Sequence, residues 1–321
     1  MMLFARLLRL GFLPVLLSRG QDTSHGLDPC SKVAGQQYVD PLAAEACLSS
    51  FPFNETLKQN VLSVVSGALD FYTWEAHYLE LPEPFHNASW DIRAEIRRIN
   101  QTRYDVSMSP TLVDTSLIGR VTTKSDYLFN RDLYDVLNRL YDGHTGVYFF
   151  SPNGFAHDHF RPLVYLPHCY LAYFYLLPAS VVLLDTGIHI APDSDTLFDG
   201  LGHNFTSFYE EKGVDWKRLA GARVLEIEGR PAWEYIDYIA DNVAGDILDH
   251  NARTNLAFST YFFDNSTHLR LFGLVASRNF LMETSLELSV VPVNSTSKEP
   301  ERVKVPFVAS YLGEPFEDKN S

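Results

Sequence analysis

The stretch Asn138 to Phe150, "NRLYDGHTGVYFF", sets one histidine, His144, between an amphipathic run and an aromatic one. An imidazole titrates near neutral pH and can take the proton of a hydroxyl nucleophile, so a rigidly presented histidine is a candidate general base. It can equally cap the preceding helix or pack under Tyr148. The residues alone leave both readings open.

Other groups of the right type are less persuasive. "AHDHF" places His157 and His159 two apart, with Asp158 between and His168 nearby, but a zinc site wants three or four ligands at set spacing. Neither HExxH nor paired CxxC occurs, so no metal is expected and the segment reads as a surface loop. Asp185-Thr186-Gly187 matches the aspartic-protease triplet. That chemistry needs two carboxylates sharing a proton, there is no second copy, and the triplet falls where a hairpin turn is due. Glu210-Glu211 and the acidic end read as solvated faces. The aromatics Tyr170, Tyr173, Phe174 and Tyr175 read as core. Of three cysteines, Cys30 and Cys47 are close enough to pair in an oxidising compartment, which leaves Cys169 as a buried thiol.

Positioning such groups takes ordered elements, and the hydrophobic period supplies them. "NETLKQNVLSVVSGALDFY" carries Leu57, Val61, Val64, Val65 and Leu69 at helical spacing, with Asn54 and Thr56 suited to its start. "DIRAEIRRINQ" continues with Ile92, Ile96 and Ile99. "NRDLYDVLNRLYDG" follows with Leu133, Val136, Leu137 and Leu140, and Gly143 as the stop. Three or four helices therefore precede the first expected strand, "TGVYFF". Beyond a turn-rich loop, "ASVVLLDTGIHIAP" predicts a hairpin. "RVLEIEGRPAWEYIDYIADNV" predicts a strand, a Glu228-Gly229 turn, and a helix opened by Pro231 with Ile236, Ile239, Ala240 and Val243 inward. "SLELSVVPVNSTSKEPERVKVPFVAS" is a second hairpin.

The bulk properties narrow the function. The chain has 321 residues, enough for more than one packed unit, and 46% hydrophobic residues supply the cores. A net charge of −14 with no basic run excludes nucleic acid as a partner. Arg6 and Arg9, an apolar run from Leu10 to Leu17 and Ser18-Arg19-Gly20 predict a secretory signal over residues 1–20. Six sequons (Asn54, Asn87, Asn100, Asn204, Asn265 and Asn294) exceed the roughly two that chance would give, which points to a secreted glycoprotein. The uncharged run Pro162–Leu184 is long enough to span a bilayer, but Pro167 and Pro178 interrupt it and its Tyr, Val and Phe favour strands. No membrane span is expected in the mature chain.

"LAGARVLEIEGRPAWEYID" resembles the core of a PDZ-like domain, and "NRLYDGHTGVYFF" upstream resembles a segment of the tail-specific (C-terminal-processing) serine peptidases. The match is to the fungal secreted branch related to the chlamydial protease-like activity factor. "AGQQYVDPLAAEACLSSFPFN", "CYLAYFYLLPASVVLL", "RTNLAFSTYFF" and "VKVPFVASYLGEPF" are similar to their counterparts, so the resemblance spans nearly the whole chain after the signal. It implies an α+β fold: a helical region over 21–150 ending in the His144 strand, a mixed, mainly antiparallel PDZ-like domain over 160–312, and an acidic tail over 313–321. It makes His144 the general base for a serine held in a later core, with a peptide or protein as substrate and no cofactor.

Two departures qualify that expectation. No Gly-x-Ser-x-Gly elbow occurs, so no nucleophile is assigned and the chain alone is expected not to cleave peptides, as a catalytically incomplete relative or a fragment of a longer peptidase. "LLPASVV", ahead of the strand that would receive a peptide, has no glycine and contains Pro178, which lacks an N–H. A carboxylate-gripping loop of successive N–H groups is therefore not expected. The alternative is a noncatalytic secreted peptide- or protein-binding module.

Overall fold

The structure, a computed structural model, describes residues 28–104, 126–143, 173–245, 247–264, 267–293, 299–311, 313 and 315–318. A 3-10 turn at Pro29–Lys32 is joined to helix α1 (Pro41–Leu48) by a Cys30–Cys47 disulfide, the pairing expected. Asp40 caps α1 by accepting from the Leu42 N–H at 3.0 Å, and Pro41 fills a first-turn position that needs no donor.

Helix α2 (Glu55–Leu69) begins as anticipated, with the Asn54 side chain accepting from the Leu57 N–H at 3.0 Å. Its buried stripe is Lys58, Val61, Leu62, Val65 and Leu69, whereas Val64 points to solvent at 54% exposure. The stripe is centred one position away from the anticipated one because Lys58 belongs to it. Its ammonium donates to the carbonyls of Asn100 (2.8 Å) and Thr102 (2.9 Å), closing the end of α4 (Ile92–Gln101). Short α3 (Glu75–Leu79) lies between them. Ile92, Ile96 and Ile99 are buried, and so are Leu133, Val136 and Leu137 of α5 (Asp126–Asn138). That last helix stops at Asn138, well before Gly143. Tyr141, with φ of 50°, turns the chain away first.

Among the described residues the strands form three antiparallel sheets. Strands β3 (Val181–Leu184) and β4 (Gly187–Ile190) form the anticipated hairpin around Asp185-Thr186. They continue into β5 (Arg223–Ile227), β10 (Ser285–Val291) and β11 (Glu301–Pro306), in the order β11-β10-β5-β4-β3, with short β6 (Arg230–Pro231) beside β5. Glu228 and Gly229, at φ of 53° and 70°, make the tight turn from β5 to β6. A second sheet has the order β1-β12-β2-β9, from β1 (Tyr38–Val39), β12 (Val308–Tyr311), β2 (Tyr173–Leu176) and β9 (Ser277–Arg278). Strands β7 (Thr260–Asp264) and β8 (Thr267–Leu271) pair only with each other among the described residues.

Helices α6 (Ser194–Asp199) and α7 (His203–Glu211) follow β4, α8 (Ala232–Asn242) follows β6, and α9 (His250–Ala257) precedes β7. The fold is therefore α+β. One expectation is corrected: a strand, β1, comes before the helices, and its pairing with β12 ties the two ends of the described chain together. Two residues give no alternation to read, and the partner lies far away in sequence. Among the described residues the larger apolar core runs from Cys30 through the helices to Ala309, and a second, smaller one gathers Phe198, Phe205, Tyr209 and Trp216 against Leu176 and Val308. The described part of the apolar run Pro162–Leu184 is strands β2 and β3 with a loop between them, and among the described residues no helix is long and apolar enough to cross a membrane.

Candidate functional site

The two edges of the large sheet differ in kind. Edge β11 presents Glu301, Arg302 and Lys304, and Arg302 pairs with Glu287 at 2.9 Å; charges of this sort discourage another strand from adding. Edge β3 is Val181-Val182-Leu183-Leu184, with no charge. In a two-residue hairpin the rungs alternate, so Val182 and Leu184 face β4 while the backbone of Val181 and Leu183 faces outward. The outward Val181 carbonyl accepts from the Ser259 N–H at 2.8 Å. Among the described residues nothing bonds to the outward N–H and C=O of Leu183.

The side chain of Leu183 shares a face with Val181, Ile188 and Ile190, all of which are buried, yet it is 51% exposed. The cover over the sheet therefore stops short of this edge. One neighbour of this edge is reached through Ser259, bonded to Val181. The preceding Phe258 packs edge-on against Trp233 at 5.8 Å, and Trp233 stands half exposed on the first turn of α8. The site is an uncharged strand edge with an apolar rim.

Helix α8 is held firmly. Tyr235, Ile236, Ile239 and Ala240 are buried, and Val243 closes the stripe half-buried. Pro231 sits one residue before the helix rather than opening it, in extended conformation at the end of β6. The Tyr235 hydroxyl donates to Glu283 (2.7 Å), while the buried Arg278 guanidinium donates to the Tyr235 oxygen (2.8 Å) and to Glu283 (2.7 Å). Burial raises the Tyr235 pKa, and the Glu283 carboxylate adds to the rise against the opposing pull of Arg278. Nothing in the local sequence around Arg278 marks this network, because its members are set together only by tertiary packing.

The loop entering β3 behaves as its composition implies. The Leu177 N–H donates to the Ala276 carbonyl (2.8 Å), the Ala179 N–H donates to the Leu177 carbonyl (2.7 Å), and Pro178 between them has no donor. Two amides are spent and one is missing. Successive free N–H groups for a terminal carboxylate are not available there.

The segment leading to His144 is anchored through Asp142, which bridges to Ile247 and accepts from the Tyr72 hydroxyl at 3.2 Å. Tyr141 lies under the Arg253 guanidinium, 4.1 Å from the ring centre. His144 itself lies outside the described residues, as do Cys169, His157, His159, His168, Asn265 and Asn294. Asn54, Asn87, Asn100 and Asn204 are exposed, and Glu210-Glu211 is solvated. Tyr173 and Tyr175 are buried, and in Asp185-Thr186-Gly187 the first two residues make the β3–β4 turn while Gly187 opens β4. Among the described residues no cluster of three His, Cys, Asp or Glu could hold a metal ion. The chain matches no protein-family model and no curated protein sequence.

Proposed function

We propose that this is a secreted protein resembling the tail-specific serine peptidases, whose PDZ-like portion captures extended peptide at the β3 edge beside α8. That among the described residues nothing bonds to the outward N–H and C=O of Leu183 is the observation that carries the reading. An incoming strand would pair with that N–H and C=O, while its side chains met Leu183 and the rim near Trp233. The spent amides at Leu177 and Ala179 favour an internal peptide segment over a free C-terminus. Strand addition to a pre-formed edge needs little reorganisation of the domain.

A labelled, unstructured peptide tested as free acid and as amide separates these cases. Binding of both forms within about twofold, with the Leu183 amide becoming protected from hydrogen exchange, is the expected result. Binding with no protection at β3 overturns the proposal.

The peptidase side of the proposal assigns His144 as general base, with no nucleophile identified in the sequence, so the 321 residues alone should bind peptide without turning it over. Its support is the resemblance and the anchored residues just before His144. Peptide hydrolysis by the purified chain that survives His144→Ala would remove that role. Export rests on the sequons, four of whose asparagines are exposed, and on an oxidising compartment suiting the disulfide. A mass that falls on endoglycosidase treatment is the check.

A further inference from the structure

The Ser259 N–H occupies one rung of the β3 edge, at the Val181 carbonyl, as a bound peptide would. The chain then leaves the edge to form the β7–β8 hairpin, and a polar cluster fixes the point of departure. The Ser259 hydroxyl donates to the Leu271 carbonyl (2.6 Å) and accepts from Arg270 Nε (2.9 Å). Arg270 Nη1 donates to Asp193 Oδ2 (2.6 Å) and to the Tyr261 hydroxyl (2.6 Å), which itself donates to Asp193 Oδ2 at 2.9 Å. Arg270 also stacks over the Tyr261 ring, its cross-strand neighbour, 4.5 Å from the centre. Asp193 belongs to the turn after β4, so one nearly buried guanidinium ties the hairpin to the sheet it borders.

The base of the hairpin is equally constrained. Gly273, at φ of +77°, leaves no room for a Cβ, which would lie 2.5 Å from the Phe258 carbonyl carbon. Strand entry and exit are thus packed closely together at the base of the hairpin.

We propose that the β7–β8 hairpin is a latch on the peptide-binding edge, and that the Asp193–Arg270 pair sets how readily the Ser259–Val181 rung gives way to an incoming strand. This rests on β3 being the binding edge. With the rung closed, a peptide can pair at Leu183 only. Released, the Val181 carbonyl joins it and the usable edge lengthens toward the loop at Pro178. The rest of the cluster stays on the hairpin, since Ser259 and Arg270 are bonded to each other.

The test compares the wild-type chain with Asp193→Asn and Tyr261→Phe. Hydrogen exchange at the Ser259 amide is followed without ligand, and affinity is measured for a short acetylated and amidated peptide of alternating valine and threonine with lysines at its ends. Asp193→Asn should speed Ser259 exchange and tighten peptide binding about 3- to 10-fold, roughly the worth of one rung no longer competed for. Tyr261→Phe keeps the ion pair and should move both readouts less, in the same direction. Unchanged Ser259 exchange in Asp193→Asn, or faster exchange with unchanged affinity, overturns the latch. Absence of Leu183 protection in every variant instead overturns the binding edge, while Ser259 exchange still decides whether the ion pair controls the rung.

Discussion

The Arg253 guanidinium lies 4.1 Å from the centre of the Tyr141 ring and donates to three carbonyls, those of Ala240 (2.8 Å), Ile247 (3.1 Å) and Leu248 (2.6 Å). One buried side chain thereby joins the end of α8, the start of α9 and the residues just ahead of His144. Tyr141 has a positive φ, which a tyrosine adopts only when its surroundings insist. Arg253→Ala would strand those carbonyls and free that ring, at a cost of about 2–4 kcal/mol. Arg253→Lys should recover little, because an ammonium cannot replace the planar fork. Urea unfolding of the three proteins measures both, and a lysine variant as stable as wild type would contradict this account.

The disulfide makes a second prediction. Cys30 and Cys47 are 17 residues apart, and closing a loop of that length limits the unfolded chain by about 3 kcal/mol. Reduction, or a Cys30→Ala/Cys47→Ala double variant, should lower the unfolding free energy by that amount. The loss falls on the 3-10 turn and α1, so hydrogen exchange in that region should rise well before exchange in β10, an inner strand whose Leu286, Leu288 and Val290 are fully buried.

How much of this was legible follows the range of the forces involved. The Asn54 cap, the isoleucine stripe of α4, and the β3–β4 and β10–β11 hairpins are local events written in a few adjacent residues, and each was readable. Val64 misled because helical spacing alone could not reveal that Lys58 would be buried by carbonyls contributed from α4. The β1–β12 pairing and the Arg270 and Arg278 networks depend on groups brought together from distant segments. Strand identity at the edge was readable from "SVVLL"; that Leu183 lacks a backbone partner among the described residues, and which amides of the strand face out, required the register with β4 and the Ser259 contact.

Alkaline pH provides a third test. Burial raises the pKa of Tyr104, Tyr175, Tyr209 and Tyr235 from the ordinary 10.0, with the Asp132 carboxylate reinforcing the effect at Tyr104. The fold holds these phenols protonated while an unfolded chain would release their protons. Stability is therefore intact below pH 10 and falls as pH rises above it. Tyrosinate absorbance from these rings should appear together with loss of the circular dichroism of the fold. Ionisation of all of the tyrosines in a chain that keeps its native spectrum would show the four rings to be accessible.

Backbone and side-chain contributions at the β3 edge can be separated at Leu183. Proline there removes the outward N–H but no bond to β4, since that N–H does not enter the hairpin ladder; an edge position of this kind tolerates it. Alanine keeps the N–H and removes only the half-exposed isobutyl group. Leu183→Pro should fold with a thermal midpoint close to wild type and weaken peptide binding roughly tenfold or more, because the added strand loses its donor and meets the ring. Leu183→Ala should weaken it only about two- to fivefold, the apolar contact being partial. Equal losses in the two variants would mean that the peptide sits on the side chain without pairing to the strand, and strand addition would have to be abandoned in favour of a purely apolar rim contact.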